Sequence, residues 1–348
     1  MSAIRRAAPR AEVTGGGGRM KLIWLQSGGC GGCTLSWLGS EWSALFATLA
    51  DAGIEIVWHP SVSEASADES LAILDACADG SLPFDVLCVE GSMLLGPGGS
   101  GRFHVMAGTE RPMIEWVRLL AARARHVVAI GSCAAFGGIT AAGSNPTDAC
   151  GLQYDGANPG GLLGSGFCSP SGLPVVNVAG CPTHPDWVTE TLLSLARNEM
   201  GREALDELAR PRFYADVLVH HGCKRNEFYE FKASAQKGGE QGCLMEHLGC
   251  KGTQAHADCN LRPWNGGGSC TDGGYACISC TEPGFEEPGH LFISTPKVAG
   301  IPIGLPLDMP KAWFVALAAL SKSATPARVR RNATSDHIIP WPRPAKKP

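Results

Sequence analysis

The cysteines of this sequence are numerous and spaced in a way that is typical of metal ligands. The chain has 15 cysteines in 348 residues, and seven of them lie between His220 and Cys280. That stretch is rich in glycine and polar residues and has too little apolar periodicity to form a core of its own. We therefore expect bound metal to replace the missing core. The candidate ligands in this stretch are His220, Cys223, Cys243, Cys250, Cys259, Cys270, Cys277 and Cys280.

A second group of cysteines lies in the first half of the chain. Cys30 and Cys33 form a C-x-x-C in SGGCGGC, Cys133 lies in GSCAAFGG and Cys181 in AGCPTHP. Glycines next to each of them allow the backbone to approach closely. Whether these four thiols meet depends on the elements that carry them.

Short apolar runs alternate with helical patterns from Lys21 onward. The runs predict strands, the 3.6-residue patterns predict helices between them, and this alternation is typical of a parallel sheet covered on both faces. We therefore predict an α/β, doubly wound fold. The predicted strands are Lys21–Gln26, Ile54–Trp58, Phe84–Glu90, His126–Ile130 and Pro174–Val178, and the main predicted helices lie near Glu69–Ala78, Pro112–Arg125 and Pro185–Glu199.

The four early cysteines all follow predicted strands. In an open parallel sheet the carboxyl ends of the strands form the ligand-binding edge, so three loops would deliver four thiols to one place. Four thiolates are what a cubane iron–sulfur cluster needs. A thioredoxin-like dithiol at Cys30 and Cys33 remains an alternative, although it leaves Cys133 and Cys181 without a role. A zinc site is a second alternative, although structural zinc ligands usually come as two close pairs, whereas Cys133 and Cys181 are single cysteines in distant loops.

The remaining cysteines and the composition set further limits. We expect Cys77, Cys88, Cys150 and Cys168 to be packing residues. The net charge of −4 argues against a nucleic-acid partner. There is no apolar signal region near the start and no run long enough to cross a membrane, so we expect a cytoplasmic protein without an integral membrane segment. Residues 1–19, with GGGG at 15–18, are expected to be disordered.

Several motifs together resemble the small, iron–sulfur subunit of nickel–iron hydrogenases. They are WLQSGGCGGCTLS, VEGSM, GSCAAFGG, AGCPTHP, HHGC, CLMEHLGCKG, ADCN and CISC, and they occur in that family's order between about Met20 and His290. The resemblance implies a flavodoxin-like domain at 20–200, a loop-rich cluster-binding domain at 201–290 and a C-terminal extension at 291–348. It also implies an electron-transfer subunit of an enzyme that splits H2 at a nickel–iron centre in a separate large subunit.

The same resemblance implies three iron–sulfur clusters. A proximal 4Fe–4S cluster would be held by Cys30, Cys33, Cys133 and Cys181. A distal 4Fe–4S cluster would be held by His220, Cys223, Cys243 and Cys250, with His221 as a less favoured substitute for His220. A medial cluster would be held by Cys259, Cys277 and Cys280, and by Cys270 if it is of the 4Fe–4S rather than the 3Fe–4S type.

Three departures from the family pattern refine these expectations. The interval between Cys243 and Cys250 looks one residue long, which predicts a small bulge. Cys270 lies about where many members have a proline, which favours a 4Fe–4S medial cluster. Gly32 and Gly138 stand where the oxygen-tolerant branch has extra cysteines, so an ordinary proximal cluster is expected.

The subclass is predicted from the motifs WLQSGGCGGCTLS, GLQYDGANPGGLLG and HADCN, which look most like the cytoplasmic hydrogen-sensing hydrogenases. In those proteins the C-terminal extension docks a histidine kinase. Here the extension contains a predicted helix, Lys311–Leu320, followed by a Pro-rich tail with many basic residues. The alternative is a cytoplasmic uptake hydrogenase that passes electrons to a respiratory acceptor. In either case we expect an obligate heterodimer with the large subunit, alone or as a dimer of heterodimers. Trp37 and Trp42 are candidate contacts with the large subunit, and core packing is an equal alternative for both.

Overall fold

A five-stranded parallel sheet forms the centre of the first half of the chain. The computed structural model describes residues 19–40, 42–287, 297–298, 301–302 and 310–336. The sheet strands are β1 (Met20–Gln26), β2 (Ile54–Trp58), β3 (Val86–Glu90), β4 (His126–Ile130) and β5 (Val176–Val178). Their order is β2-β1-β3-β4-β5, and all four pairings are parallel. This is the doubly wound order of flavodoxin-like folds, which confirms the predicted fold class.

Helices cover both faces of this sheet. The helices are α1 (Gly32–Leu38), α2 (Trp42–Asp51), α3 (Ala67–Asp79), α4 (Met113–Ala121), α5 (Gly131–Phe136), α6 (Pro185–Ala196), α7 (Arg212–Ala215), α8 (Asn226–Glu230), α9 (Met245–Leu248), α10 (Lys311–Ala324) and α11 (Ala327–Ala333). Successive residues of β1 alternate between the two faces: Ile23 packs in the core that α3 and α4 cover, and Trp24 in the core that α1, α2 and α6 cover. Strands β3 and β4 are buried along their whole length, as expected for apolar runs covered on both faces.

The predicted strand positions agree closely with the structure, and the first helical segment differs. The helical spacing of the apolar residues from Leu35 to Leu49 predicts one helical segment after Cys33, but the structure has two helices there, α1 and then α2. Three of the cysteines expected to pack, Cys77, Cys88 and Cys150, are buried in the two cores. The fourth, Cys168, is exposed, so the expectation that it packs in the core is wrong.

Short elements and loops dominate the chain after α6, as the glycine-rich sequence predicts. After α6, 3-10 turns lie at Arg202–Ala204 and Val219–Gly222, and the two-residue strands Lys297–Val298 and Ile301–Pro302 pair with each other. Similar short elements lie before α6: a 3-10 turn at Gly138–Ala141, and two-residue strands that pair Met93–Leu94 with Ala149–Cys150 and Tyr154–Asp155 with Asn158–Pro159. Helix α10 matches the predicted helix and extends further, whereas α11 falls where a Pro-rich tail was expected. Among the described residues, none of the helices has the length and apolarity needed to span a bilayer.

Candidate metal centres

The four early cysteines come together at the carboxyl edge of the sheet. Cys30 and Cys33 lie between β1 and α1, Cys133 lies in α5 directly after β4, and Cys181 follows β5. The thiols interact electrostatically: Cys181 with Cys30 and Cys133, and Cys33 with Cys133 and Cys181. Burial, reinforced by these neighbours, raises the pKa of Cys181 to about 12. Burial also raises the pKa of Cys33 and Cys133, whereas Cys30 is exposed. Three thiols that are costly to ionise separately, with a fourth beside them, are suited to ligating cationic iron.

Two glycines at this edge leave no room for a side chain. Gly131 has φ +84°, and a Cβ there would lie 2.4 Å from the Cys33 sulfur. Gly138 has φ +55°, and a Cβ there would lie 2.8 Å from the Cys133 sulfur. Both the backbone conformation and the close approach therefore require glycine.

A buried carboxylate fixes the loop that carries the first two cysteines. Glu90 ends β3, is 4% exposed, and its Oε1 accepts hydrogen bonds from the backbone N–H of Cys33 (2.9 Å) and of Thr34 (3.1 Å). Its other oxygen accepts from the Thr34 hydroxyl and from Gln26 Nε2. After burial itself, the Glu90 charge is the largest cause of the raised pKa of Cys33. Glu90 thus positions the start of α1 and makes this end of the molecule electronegative.

The second candidate centre is a cavity lined by the four predicted distal ligands. His220, Cys223, Cys243 and Cys250 line a small cavity of about 30 Å³. Burial raises the pKa of Cys243 to about 12. His221, the less favoured alternative, is exposed and lies outside this cavity, and its Nδ1 accepts from the Leu218 backbone N–H at 3.3 Å.

The interval between Cys243 and Cys250 forms a short helix rather than the predicted bulge. Helix α9 occupies this interval and ends at Gly249, which has φ +69°. The Cys250 N–H then donates to the Leu244 carbonyl at 3.2 Å. The residues between the two cysteines are therefore used to turn the chain back toward the cavity.

The third group contains the four predicted medial ligands. Cys259 interacts electrostatically with Cys270 and Cys280, and Cys277 interacts with Cys259 and Cys280. Burial raises the pKa of Cys280 to about 11. Cys270 is the more exposed member, yet it lies close enough to Cys259 and Cys280 to affect both thiols. The structure thus brings Cys270 to the group in which a fourth medial ligand was predicted.

Backbone hydrogen bonds connect the medial group to both of the others. The Cys277 N–H donates to the Cys250 sulfur at 3.3 Å, and the Lys251 N–H donates to the Cys277 carbonyl at 2.7 Å. On the other side, the Cys181 backbone hydrogen-bonds the Cys280 thiol. Each neighbouring pair of candidate centres is therefore joined through one peptide unit and one sulfur.

The donor sets fit iron–sulfur clusters. Each group offers four soft donors, all thiols in two groups and three thiols with one imidazole in the third. Across the part of the chain that the structure describes, no three His, Cys, Asp or Glu side chains lie close enough to hold a single metal ion. Ligands of a cluster bind separate irons, so their sulfurs lie further apart than ligands of one ion. The assignment of each residue as a ligand stays a prediction.

One of the two candidate contact residues lies in the core. Trp37 is fully buried and stacks on Trp24 at 5.1 Å between ring centroids, so it packs in the core, which was the alternative to a contact with the large subunit. The side chain of Trp42 lies outside the described residues. The large apolar side chains exposed next to the proximal cysteines are Leu35, at 70%, and Ile139, at 49%.

A buried cation beside the distal cavity was not predicted from the sequence. Arg225 lines that cavity and is 5% exposed. In the sequence it stands in CKRNE, which is typical of a solvated charged segment. The only local signal is its position two residues after Cys223.

This combination of fold and thiol groups defines an iron–sulfur electron-transfer protein. The family models agree: residues 30–195 match the family of the NADH ubiquinone oxidoreductase 20 kDa subunit, and residues 215–293 match the C-terminal family of NiFe/NiFeSe hydrogenase small subunits. The chain is 32% identical to the F420 non-reducing hydrogenase II small subunit of Methanosarcina mazei, with 86% of this chain and 82% of that protein covered. It is 31% identical to the periplasmic [NiFeSe] hydrogenase small subunit of Desulfomicrobium baculatum, with 79% and 87% covered.

Solved structures give the same result. An actinobacterial-type NiFe-hydrogenase from Ralstonia eutropha H16 has a TM-score of 0.72 and 28% identity, with 93% of this chain and 95% of that chain covered. The [NiFeSe] hydrogenase from Desulfovibrio vulgaris Hildenborough has a TM-score of 0.68 and 29% identity, with 80% and 99% covered. The chain belongs to the small subunits of nickel–iron hydrogenases. It is the electron-transfer subunit of a hydrogenase whose H2-activating centre belongs to a large subunit.

Proposed function

We propose that this chain is the small subunit of a cytoplasmic regulatory hydrogenase that senses H2 and signals to a histidine kinase. H2 gives two protons and two electrons in the large subunit, and this chain carries the electrons outward. The proposal extends the family assignment to one subclass. The motifs that resemble hydrogen sensors and the C-terminal extension support it.

In this proposal three ligand sets form the relay. Cys30, Cys33, Cys133 and Cys181 hold the proximal cluster, Cys259, Cys270, Cys277 and Cys280 the medial cluster, and His220, Cys223, Cys243 and Cys250 the distal cluster. When bound, an iron–sulfur cluster takes up and releases one electron at a time. The chain's residues partly bury most of the ligands and join neighbouring sites through the hydrogen bonds of Cys277 and Cys181.

The observation that carries the sensor proposal is the packing of the C-terminal helices beside the distal cavity. Val329 and Ala333 of α11 are buried against Phe228, Phe231 and Ala233. The Thr325 hydroxyl donates to the Phe231 carbonyl at 2.8 Å, and the Gly242 N–H donates to the Ala333 carbonyl at 2.8 Å. The extension is thus held against the segment that carries the distal ligands, where electrons would leave.

Helix α10 supplies a surface for the signalling partner. Trp313, Leu317 and Leu320 recur at helical spacing on one face and are 67%, 42% and 65% exposed. Ordered apolar side chains of this size are typical of protein contact sites. Basic residues of the extension add attraction for an acidic partner.

The test keeps α11 in place, because removing the whole extension would uncover Phe228 and Phe231. We would replace Trp313, Leu317 and Leu320 by serine in the assembled heterodimer and measure kinase binding and H2-dependent dye reduction. The matched control is Leu261→Ser, at another side chain that is 62% exposed. Loss of kinase binding in the α10 variant only, with dye reduction unchanged, supports the sensor. Unchanged kinase binding in both variants contradicts it, and loss of electron transfer to a respiratory acceptor would favour the uptake alternative.

A further inference from the structure

A single buried arginine borders the candidate distal centre. Arg225 is 5% exposed and lies two residues after Cys223. Its Nε donates to the Thr271 carbonyl at 3.0 Å, and its Nη1 donates to the carbonyls of Glu240 at 2.6 Å and Gly242 at 2.9 Å. These bonds fix the plane of the guanidinium group.

The remaining nitrogen of the guanidinium has no protein partner. Within the described part of the chain, Nη2 of Arg225 is buried and makes no hydrogen bond. A buried charged donor without a partner destabilises the fold, so such atoms usually have a use. Arg225 also lines the cavity that His220, Cys223 and Cys250 surround. The free donor and the cavity together indicate that a negative ligand atom of the bound group satisfies Nη2.

We propose that Arg225 sets the reduction potential of the distal cluster, by placing a fixed positive charge and an N–H donor beside it. This inference rests on the distal-cluster assignment in the proposed function. Uptake of one electron lowers the charge of a cluster by one. A cation close by in a low-dielectric site stabilises that added negative charge, and hydrogen bonds to the sulfurs act in the same direction.

The charge of Arg225 is secure at the pH values at which the protein works. Burial lowers the pKa of Arg225, and the neighbouring Cys223, Cys243 and Cys250 oppose that shift. An arginine side chain remains protonated in proteins throughout this range. The effect on the distal cluster is therefore a constant offset rather than a pH switch.

The proximal centre has charges of the opposite sign. Glu90 acts on Cys33, and Glu286, which is 7% exposed, acts on Cys133 and Cys181. Carboxylates beside a cluster disfavour its reduced state. Glu90 and Glu286 lie at the proximal end and Arg225 at the distal end. These fixed charges favour electron flow from the proximal to the distal cluster, which is the direction of H2 oxidation.

The experiment is an EPR-monitored redox titration of the distal cluster in the assembled, metal-loaded heterodimer. We expect R225Q to lower its potential, with about a tenfold fall in the reduced-to-oxidised ratio, or about 59 mV for a one-electron couple. We expect R225K to keep most of the wild-type potential, because it keeps the charge. The control is K224Q, which removes an exposed cation beside the same cysteine, a position at which solvent screening leaves little effect.

A second variant tests the charge with Arg225 in place. Asn226 also lines the cavity, and N226D adds a carboxylate of the same shape, so the distal potential should fall. This variant decides the matter if R225Q loses the cluster. An unchanged potential in N226D, or equal falls in R225Q and R225K with clusters intact, overturns the proposal. Failure of the ligand assignment looks different: C223A would then leave the wild-type distal signal unaltered.

Discussion

The proximal and distal ends of this protein are built in different ways. At the proximal end the cysteines follow strands of a buried sheet, and Glu90 and two glycines fix their loops. At the distal end the candidate ligands lie on loops and a one-turn helix around a cavity, with Arg225 in its wall and α11 packed nearby. The proximal end therefore takes its geometry from the fold, whereas the distal end depends more on its bound group.

The largest expected effect is steric and distinguishes the two ends. Gly131→Ala would place a methyl group 2.4 Å from the Cys33 sulfur at φ +84°, so we expect loss of the proximal cluster and of H2-dependent dye reduction. The distal counterpart is Gly252→Ala, whose Cβ would lie 3.5 Å from the Cys250 sulfur, and it should keep activity within about twofold. Iron content and dye reduction of both heterodimers provide the measurement. Equal losses would contradict the idea that the proximal end is the more rigid.

The next effect concerns two buried carboxylates with similar roles. Glu90 accepts the N–H groups of Cys33 and Thr34, and Glu240 accepts those of Gln236 and Lys237 at the distal end. Replacing either by glutamine weakens charge-assisted hydrogen bonds, at a local cost of about 1–3 kcal/mol. Hydrogen exchange should then rise in α1 for Glu90→Gln and near residues 236–243 for Glu240→Gln. Exchange that rises at both ends in either variant would mean that the ends are not independent.

Acid should weaken the sheet that carries the proximal end. Burial lowers the pKa of His59 to about 4, and His59 packs against Trp24 and Trp37. The unfolded state binds this proton more readily, so stability is full above about pH 6.5 and falls as the pH decreases toward 4. Between pH 7 and 5 the loss is at most about 2 kcal/mol. Hydrogen exchange of β1 at the two pH values measures it, and His59→Phe should reduce the difference; an equal difference in that variant would contradict this role.

The smallest expected effect is the change in stability when an exposed ion pair at the distal end is removed. Arg328 of α11 pairs with Glu227 at 2.6 Å, and both side chains are largely exposed. Such pairs contribute less than about 1 kcal/mol, so Arg328→Ala should leave thermal stability nearly unchanged. Val329→Ala, at a fully buried neighbour, is the matched variant and should destabilise the packing of α11 by about 1–2 kcal/mol. Thermal unfolding of both heterodimers provides the measurement. A larger effect at Arg328 than at Val329 would show that charge rather than packing holds the extension.

Local sequence patterns were sufficient to predict the architecture of the proximal end but not that of the distal end. The buried runs of β3 and β4 and the glycine-flanked Cys133 and Cys181 predicted both the sheet and the edge at which the thiols meet, because strand burial and loop position follow from short segments. Arg225 could not be predicted in the same way, since its burial depends on carbonyls 15 to 46 residues away. The sequence left core packing and a large-subunit contact open for Trp37, because helical spacing does not reveal which neighbour covers a side chain. Helix α11 was missed because its stability comes from packing on Phe228 and Phe231.

The most direct test of the relay is to measure the potentials of the proximal and distal clusters in one preparation of the heterodimer. EPR-monitored titration under controlled potential separates the two signals, and variants of Cys33 and Cys223 assign them. The charges of Glu90 and Glu286 at one end and Arg225 at the other predict a distal potential above the proximal one. A proximal potential above the distal one would contradict the outward relay.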